Sequence, residues 1–416
     1  AGEAITTGGD NIFEGQAAGD GHDAETNNIG IGKAALGASI NGGEYNVAIG
    51  NYALDALTSG DHNTAVGYAA GSAVTTASGS TLVGRYAGSE VTTGTGVTAI
   101  GYGAVDQSTT ESHNTGVGYE ALGADINGGE YNVAVGNYAL DALTSGDNNV
   151  AIGYNAGTAL TTSNDNVLIG YNAAENATTL AENVVIGHEA MGTGVATSGY
   201  NVAIGKEAAL QATSMSESTI IGYQAGEQCT TASHVIFIGY TAGDDHDTEN
   251  HNLGIGTSAL GGAVAGGEYN VAVGNYALDA LTSGDLNVAV GYNCLTNSTT
   301  GSYNMAIGRF AGDAVTDETF SVYMGYNAGD DYTGSQSIMI GSYTRHASGG
   351  NDEANAICIG HSVNTGRGNE VHLGNTSMTA IKGQVSFGTY SDERIKRDIV
   401  DGDLGLDFVN KLKPRK

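Results

Sequence analysis

Asp244, Asp245, His246 and Asp247 place three carboxylates and an imidazole in a row, and Asp20, His22 and Asp23 form a related set. Carboxylate oxygens are ligands for hard cations such as calcium. The spacing matches no recognised calcium loop, so a solvated turn is the simpler interpretation. Tyr68, Tyr102, Tyr154, Tyr171, Tyr223, Tyr240 and Tyr292 each follow a glycine. Such rings, with Asn and Asp nearby, either stack on sugars or pack against protein, and packing is favoured. Thr58, Thr75, Thr92, Thr161 and Thr230 each stand eight residues after a glycine. A regular hydroxyl ladder could bind ice or carry O-linked sugars. Ice binding wants outward threonines separated by one residue. Adjacent pairs such as Thr75-Thr76 and Thr92-Thr93 leave only one of each facing out. Asn176, Asn297 and Asn375 open glycosylation triplets, which chance alone produces in a chain rich in Asn and Thr. Cys229, Cys294 and Cys358 are odd in number and far apart. They form no disulfide framework and no metal-ligand spacing. No metal and no cofactor is expected.

What positions these residues is a repeat. N-V-A-I-G at Asn46–Gly50 recurs as N-T-A-V-G at Asn63–Gly67, N-V-L-I-G at Asn166–Gly170 and N-M-A-I-G at Asn304–Gly308. The motif glycine returns nineteen times between Gly15 and Gly325, always 17 or 18 residues after the last. Later glycines at 341, 360 and 374 continue it with irregular length. A longer copy, G-G-E-Y-N-V-A-[IV]-G-N-Y-A-L-D-A-L-T-S-G-D, begins at Gly42, Gly128 and Gly266. The segment from Gly19 also resembles that from Gly243. Ile or Val precedes the motif glycine in seventeen repeats, and Ala stands three after it in eighteen. Asn stands four before it in fourteen, and Thr eight after it in thirteen. Alternation of β-branched with small residues is a strand pattern. Seventeen residues cannot hold two helices and their turns, and Gly, Thr and β-branched residues disfavour helix.

The expected fold is all-β: a parallel β-solenoid, or β-roll, of about twenty coils with a 17–18-residue period. Coils stacked at about 4.8 Å make a rod roughly 95 Å long. Like residues then stand over like. The Ile/Val column before the glycine is expected to form the core, and the Ala column a tight corner. The Asn column bonds up the stack. The small residues two before the glycine form a smooth outer face for another rod. Rod 1–340, irregular coils and a distal β-neck at 341–390, and a separate module at 391–416 are the expected divisions.

Composition agrees. Of 416 residues 67 are glycine and one is proline, Pro414. Collagen needs glycine every third residue with abundant proline. Hydrophobic residues make up 40 % and charged residues 14 %, which is unlike a disordered chain. No apolar run reaches the length of a membrane-spanning helix, and no secretory leader is visible at Ala1. Net charge is −31, yet 391–416 is near neutral. Only seven basic residues lie in 1–390: Lys33, Arg85, Lys206, Arg309, Arg345, Arg367 and Lys382. So acidic a body repels nucleic acid and anionic membranes.

The motif N-[VT]-A-[IV]-G-x-x-A resembles the head repeats of trimeric autotransporter adhesins, over about residues 11–330. That resemblance implies a homotrimer of parallel β-rolls. No coiled-coil stalk or barrel anchor follows, which sets the chain apart from a complete adhesin of that family. Residues 371–399, V-H-L-G-N-T-S-M-T-A-I-K-G-Q-V-S-F-G-T-Y-S-D-E-R-I-K-R-D-I, resemble the junction between a viral tail fibre and an endosialidase-type intramolecular chaperone. In that family S-D-x-R-x-K opens a domain that trimerises, guides folding and often cuts itself off. The resemblance implies that Ser391 is the nucleophile, Lys396 the base, and Tyr390–Ser391 the cut bond. A lysine five residues on reaches back across about one helical turn. The same residues also suit a helix N-cap with acids in its first turn. By resemblance, 391–416 is the opening fragment of a larger domain.

The expected function is structural and adhesive, not enzymatic. On this expectation the chain is the shaft and distal part of a viral tail fibre, extracellular on the virion, contacting a host-surface receptor for which glycan is one candidate. The alternative is a microbial surface filament or adhesin with sugars on its Thr ladder. In a full-length precursor, Ser391→Ala should remain uncut on a denaturing gel. Efficient cleavage of that variant would remove Ser391 from the mechanism.

Overall fold

A computed structural model describes residues 1–3, 7–329, 334–346 and 354–381. Ser391 and Lys396 lie outside the described residues. One compact unit covers Ala1–Asn375, and a second begins at Thr376. The described residues contain strands and turns but no helix.

Among the described residues, twenty-four short strands run from β1 (Ile12–Glu14) to β24 (Val371–Leu373). All except β21 (Arg345–His346) and β23 (Asn364–Thr365) join one 22-stranded sheet. Each strand pairs in parallel with its counterpart in the next coil. Val133, Ala134 and Val135 thus face Val150, Ala151 and Ile152. The first unit is a parallel β-solenoid, one coil per repeat, as the period requires. Where spacing becomes irregular, β21 and β23 pair as a separate two-stranded sheet.

The strands lie the other way out from the sequence expectation. In β3 (Val47–Ile49), Ala48 is buried while Val47 is half-buried and Ile49 exposed. The same order holds along the stack: the middle residue points in and the β-branched pair points out. The reason is width. A three-residue strand has one inward side chain, and the coil interior also holds two residues from the following turn and one from the far side. Ala53, Leu54 and Leu57 meet Ala48 there, all fully buried. Room remains for a methyl or one larger group, not for a β-branched side chain in every coil.

Glycine and bulk alternate inside this narrow space. Phe237 is the middle residue of its strand. A Cβ on Gly243 would lie 2.6 Å from its ring, and one on Gly254 in the next coil 3.1 Å. Phe13 is related in the same way to Gly19 and Gly30. Leu82 occupies the space left by Gly71 and Gly88, and Tyr323 that left by Gly312 and Gly329. These pairs keep packing dense without a fixed residue at any one level.

Polar ladders hold the corners. Asn149 Oδ1 accepts hydrogen bonds from the backbone N–H of Asn166 at 3.2 Å and from its side-chain amide at 2.9 Å. The Asn149 amide donates to the Ser163 carbonyl at 2.7 Å. Each amide therefore satisfies backbone groups of the neighbouring coils, in a column that is buried from Asn114 to Asn201. The motif glycine is needed for two reasons. Gly136 adopts φ +141°, and a Cβ there would meet the Gly153 carbonyl oxygen at 2.2 Å. No side chain fits that approach.

Gly243→Ala is expected to cost about 1–3 kcal/mol through overpacking. Adding Phe237→Leu should recover part of that loss in a denaturant melt. Strict additivity of the two changes would show that the space is not shared.

Candidate functional site

Two long surfaces stand out. The first is the outer face of the sheet, two columns of β-branched residues running coil after coil. Ile49, Ile100, Ile152 and Ile359 are each about 40 % exposed. Beside them run Thr64, Thr81, Thr98 and Thr115, then Val133, Val150, Val167 and Val184. An all-parallel sheet ordinarily has both faces covered. Here the coil interior covers one face, and nothing among the described residues covers the other.

The second surface is an aromatic column at the corner just past the motif glycine. Nine rings follow in sequence from Tyr52 to His188, with centroids 5.0–6.2 Å apart. A further run goes from Tyr276 through Phe310 to His361. Cations lie over these rings. The Arg85 guanidinium is 4.7 Å from the Tyr86 centroid, and that of Arg309 is 4.5 Å from Phe310. Lys33 and Lys206 sit over Tyr52 and Tyr223. The ladder ends at a cleft lined by Tyr343, Arg345, His361, Ser362 and Asn364.

The Asp–His sets do not converge. His246 is fully buried against Phe237, at 4.8 Å between ring centroids, while Asp245 and Asp247 point to solvent. His22 is likewise buried against Phe13. The imidazole faces the core and the flanking carboxylates face away, so they do not form one ligand shell. The Thr column is engaged: Thr75 Oγ1 donates to the Thr92 carbonyl at 3.0 Å, and Thr92 Oγ1 to that of Thr109 at 2.8 Å. The exposed hydroxyls belong to the next residue, as at Thr76 and Thr93. Asn176, Asn297 and Asn375 donate their side-chain amides to the carbonyls of Gly192, Asp313 and His361. All three cysteines are buried free thiols.

Three clusters escaped the sequence reading. Glu25, Glu111 and Glu249 are buried, each in the coil before a G-G-E-Y segment. Glu111 accepts backbone N–H bonds from Thr109 and Thr110 in its own turn and from Gly128 in the next coil, all near 3.0 Å. The carboxylate thereby fastens the extra residue of the 18-residue coil. Burial raises the Glu111 carboxyl, but the N–H bonds outweigh this and leave it below the usual range. The recurring glutamate seven residues before a motif glycine was the available signal.

His188, Glu189 and Glu207 bring three ligand atoms within 4.8 Å of one another. Glu207 is already committed to Lys206 at 2.8 Å and Gln224 at 2.8 Å. Asp106 and Asp141 line a shallow acidic cleft with Glu120. Burial, and then the charges of Glu120, Glu90 and Asp141, push Asp106 up to about 6.

No family model and no curated protein matches the chain.

Two opposite pH effects follow. Burial pushes His246 from 6.5 down to about 3. The folded chain holds it neutral, so its contribution is complete above pH 6.5 and is lost as pH falls toward 3. Asp106 is raised, so its contribution is lost as pH climbs from 3.8 through about 6. His246→Leu should flatten the melting profile on the acid side of neutrality. Asp106→Asn should raise the melting temperature at pH 7. Profiles identical to the parent would show that neither burial governs stability.

Proposed function

We propose that this chain is the shaft and distal part of a fibre in which three rods pack through the outer faces of their sheets. The observation that carries this is the uncovered face. Its Ile and Val columns cross a 22-stranded parallel sheet. Extended apolar patches are rare on monomeric soluble proteins, and here Ile and Val, with Thr over several coils, line the outer face along the whole sheet. In-register stacking keeps it regular, so a second and third copy meet the same pattern at every coil. The number three comes from the similarity of the coil motif to the heads of trimeric adhesins.

The fibre works by reach and adhesion. The similarity of residues 371–399 to the start of an endosialidase-type chaperone supports a viral tail fibre, extracellular on the virion and directed at a host surface. The chaperone would assemble the trimer and then leave by a single cut before Ser391. A microbial filament with sugars on its Thr column is less well supported. Those hydroxyls already donate to the neighbouring coil, as at Thr75 and Thr92. A sugar there would remove one hydrogen bond per coil.

Native mass should be three times that of the chain. Val135→Asp, Ile152→Asp and Ile169→Asp together should give a folded single chain, because each lies on the outer face, Ile152 exposed and Val135 and Ile169 half-buried. A wild-type mass of one chain, or a trimer unaffected by three carboxylates, would overturn the assignment.

A further inference from the structure

We propose that the aromatic column is a docking strip for a linear, uncharged polysaccharide. This deepens the adhesive function by naming the surface and the ligand chemistry. It rests on the two residues after each motif glycine, read from Gly15 to Gly341. These positions hold no aspartate and three glutamates, Glu120, Glu189 and Glu207. They also hold Lys33, Arg85, Lys206 and Arg309, every basic residue of 1–340. Tyr, Asn and Gln fill most of the rest. The strip is therefore close to neutral on a chain of net charge −31. Excess acid lies elsewhere, so the body repels a polyanion while the strip offers rings and amides among a few nearly balanced charges.

Ring geometry fits a sugar chain. Neighbouring centroids are 5.0–6.3 Å apart along the ladder, about the length of one pyranose unit. Many neighbours meet edge to face, as do Tyr52–Tyr68 at 80°, Tyr68–Tyr86 at 85° and Tyr138–Tyr154 at 89°. An edge-to-face pair leaves the faces of one ring directed across the column, open to the C–H face of a sugar. Tyr68, Tyr292 and Tyr343 meet both neighbours edge to face and remain 44 %, 42 % and 44 % exposed. The Arg85 and Arg309 guanidiniums, held over ring faces, keep N–H donors for sugar hydroxyls. The periodic strip matches a periodic polymer, and binding strength should rise with polymer length as successive units engage.

Affinity electrophoresis of the native protein in gels containing hydroxyethylcellulose, glucomannan or dextran tests this, with alginate as the polyanion. At least one uncharged polymer should retard the protein, and alginate should not. Replacing Tyr68 and Tyr292 by Ala should weaken retardation about tenfold, while the Tyr→Phe pair should retain it. Both pairs should melt and size like the parent. Failure of all three uncharged polymers, equal retardation of the Ala variant, or comparable retardation by alginate would each overturn the strip. A trimeric mass alongside such a failure would sink the strip and leave the fibre standing.

Discussion

Everything in this structure depends on one constraint: each residue's neighbour in space is its own counterpart in the next coil. Parallel pairing in register enforces it. Once a coil is placed, Asn stands over Asn, Thr over Thr and motif glycine over motif glycine. Groups that would be isolated in another fold become columns. A buried amide is costly alone, but in a column it is paired above and below. The near absence of proline has the same origin, since a missing N–H would interrupt a column shared by all coils.

The coil's narrowness is the second constraint, and it acts on surfaces as much as on the core. Small residues occupy the inward strand position because several other residues compete for the same space. Bulk enters only where glycine retreats, as around Phe237 and Tyr323. The β-branched residues that would ordinarily fill a core are turned outward. The molecule thus carries an apolar sheet on its outside as a direct result of having too little room inside. The fibre proposed above would cover that exposure by self-association.

Charge is arranged around the same columns. Acids concentrate at corners away from the sheet, and some are buried enough to be raised, such as Asp106 and Asp244. Others are tamed by backbone N–H groups, such as Glu25 and Glu111. The basic residues of 1–340 are confined to the aromatic corner. One face is thereby left apolar, one corner stays near neutrality, and the remainder is strongly acidic.

Sequence alone determined the solenoid, its period and the stacking of like on like, because periodicity is a property of order along the chain. It also marked the Asn, Thr and Tyr columns. It did not determine which side of a strand faces in. Alternation distinguishes two faces without naming either, and the usual guess that β-branched residues go inside failed once the coil proved too narrow for them. Nor could sequence show that His246 turns from its flanking aspartates, or that Glu111 clasps a glycine seventeen residues on. Those depend on distances across the stack. Only the folded coil decides how much space a corner holds, and so which polar groups are buried and which side chains remain for partners.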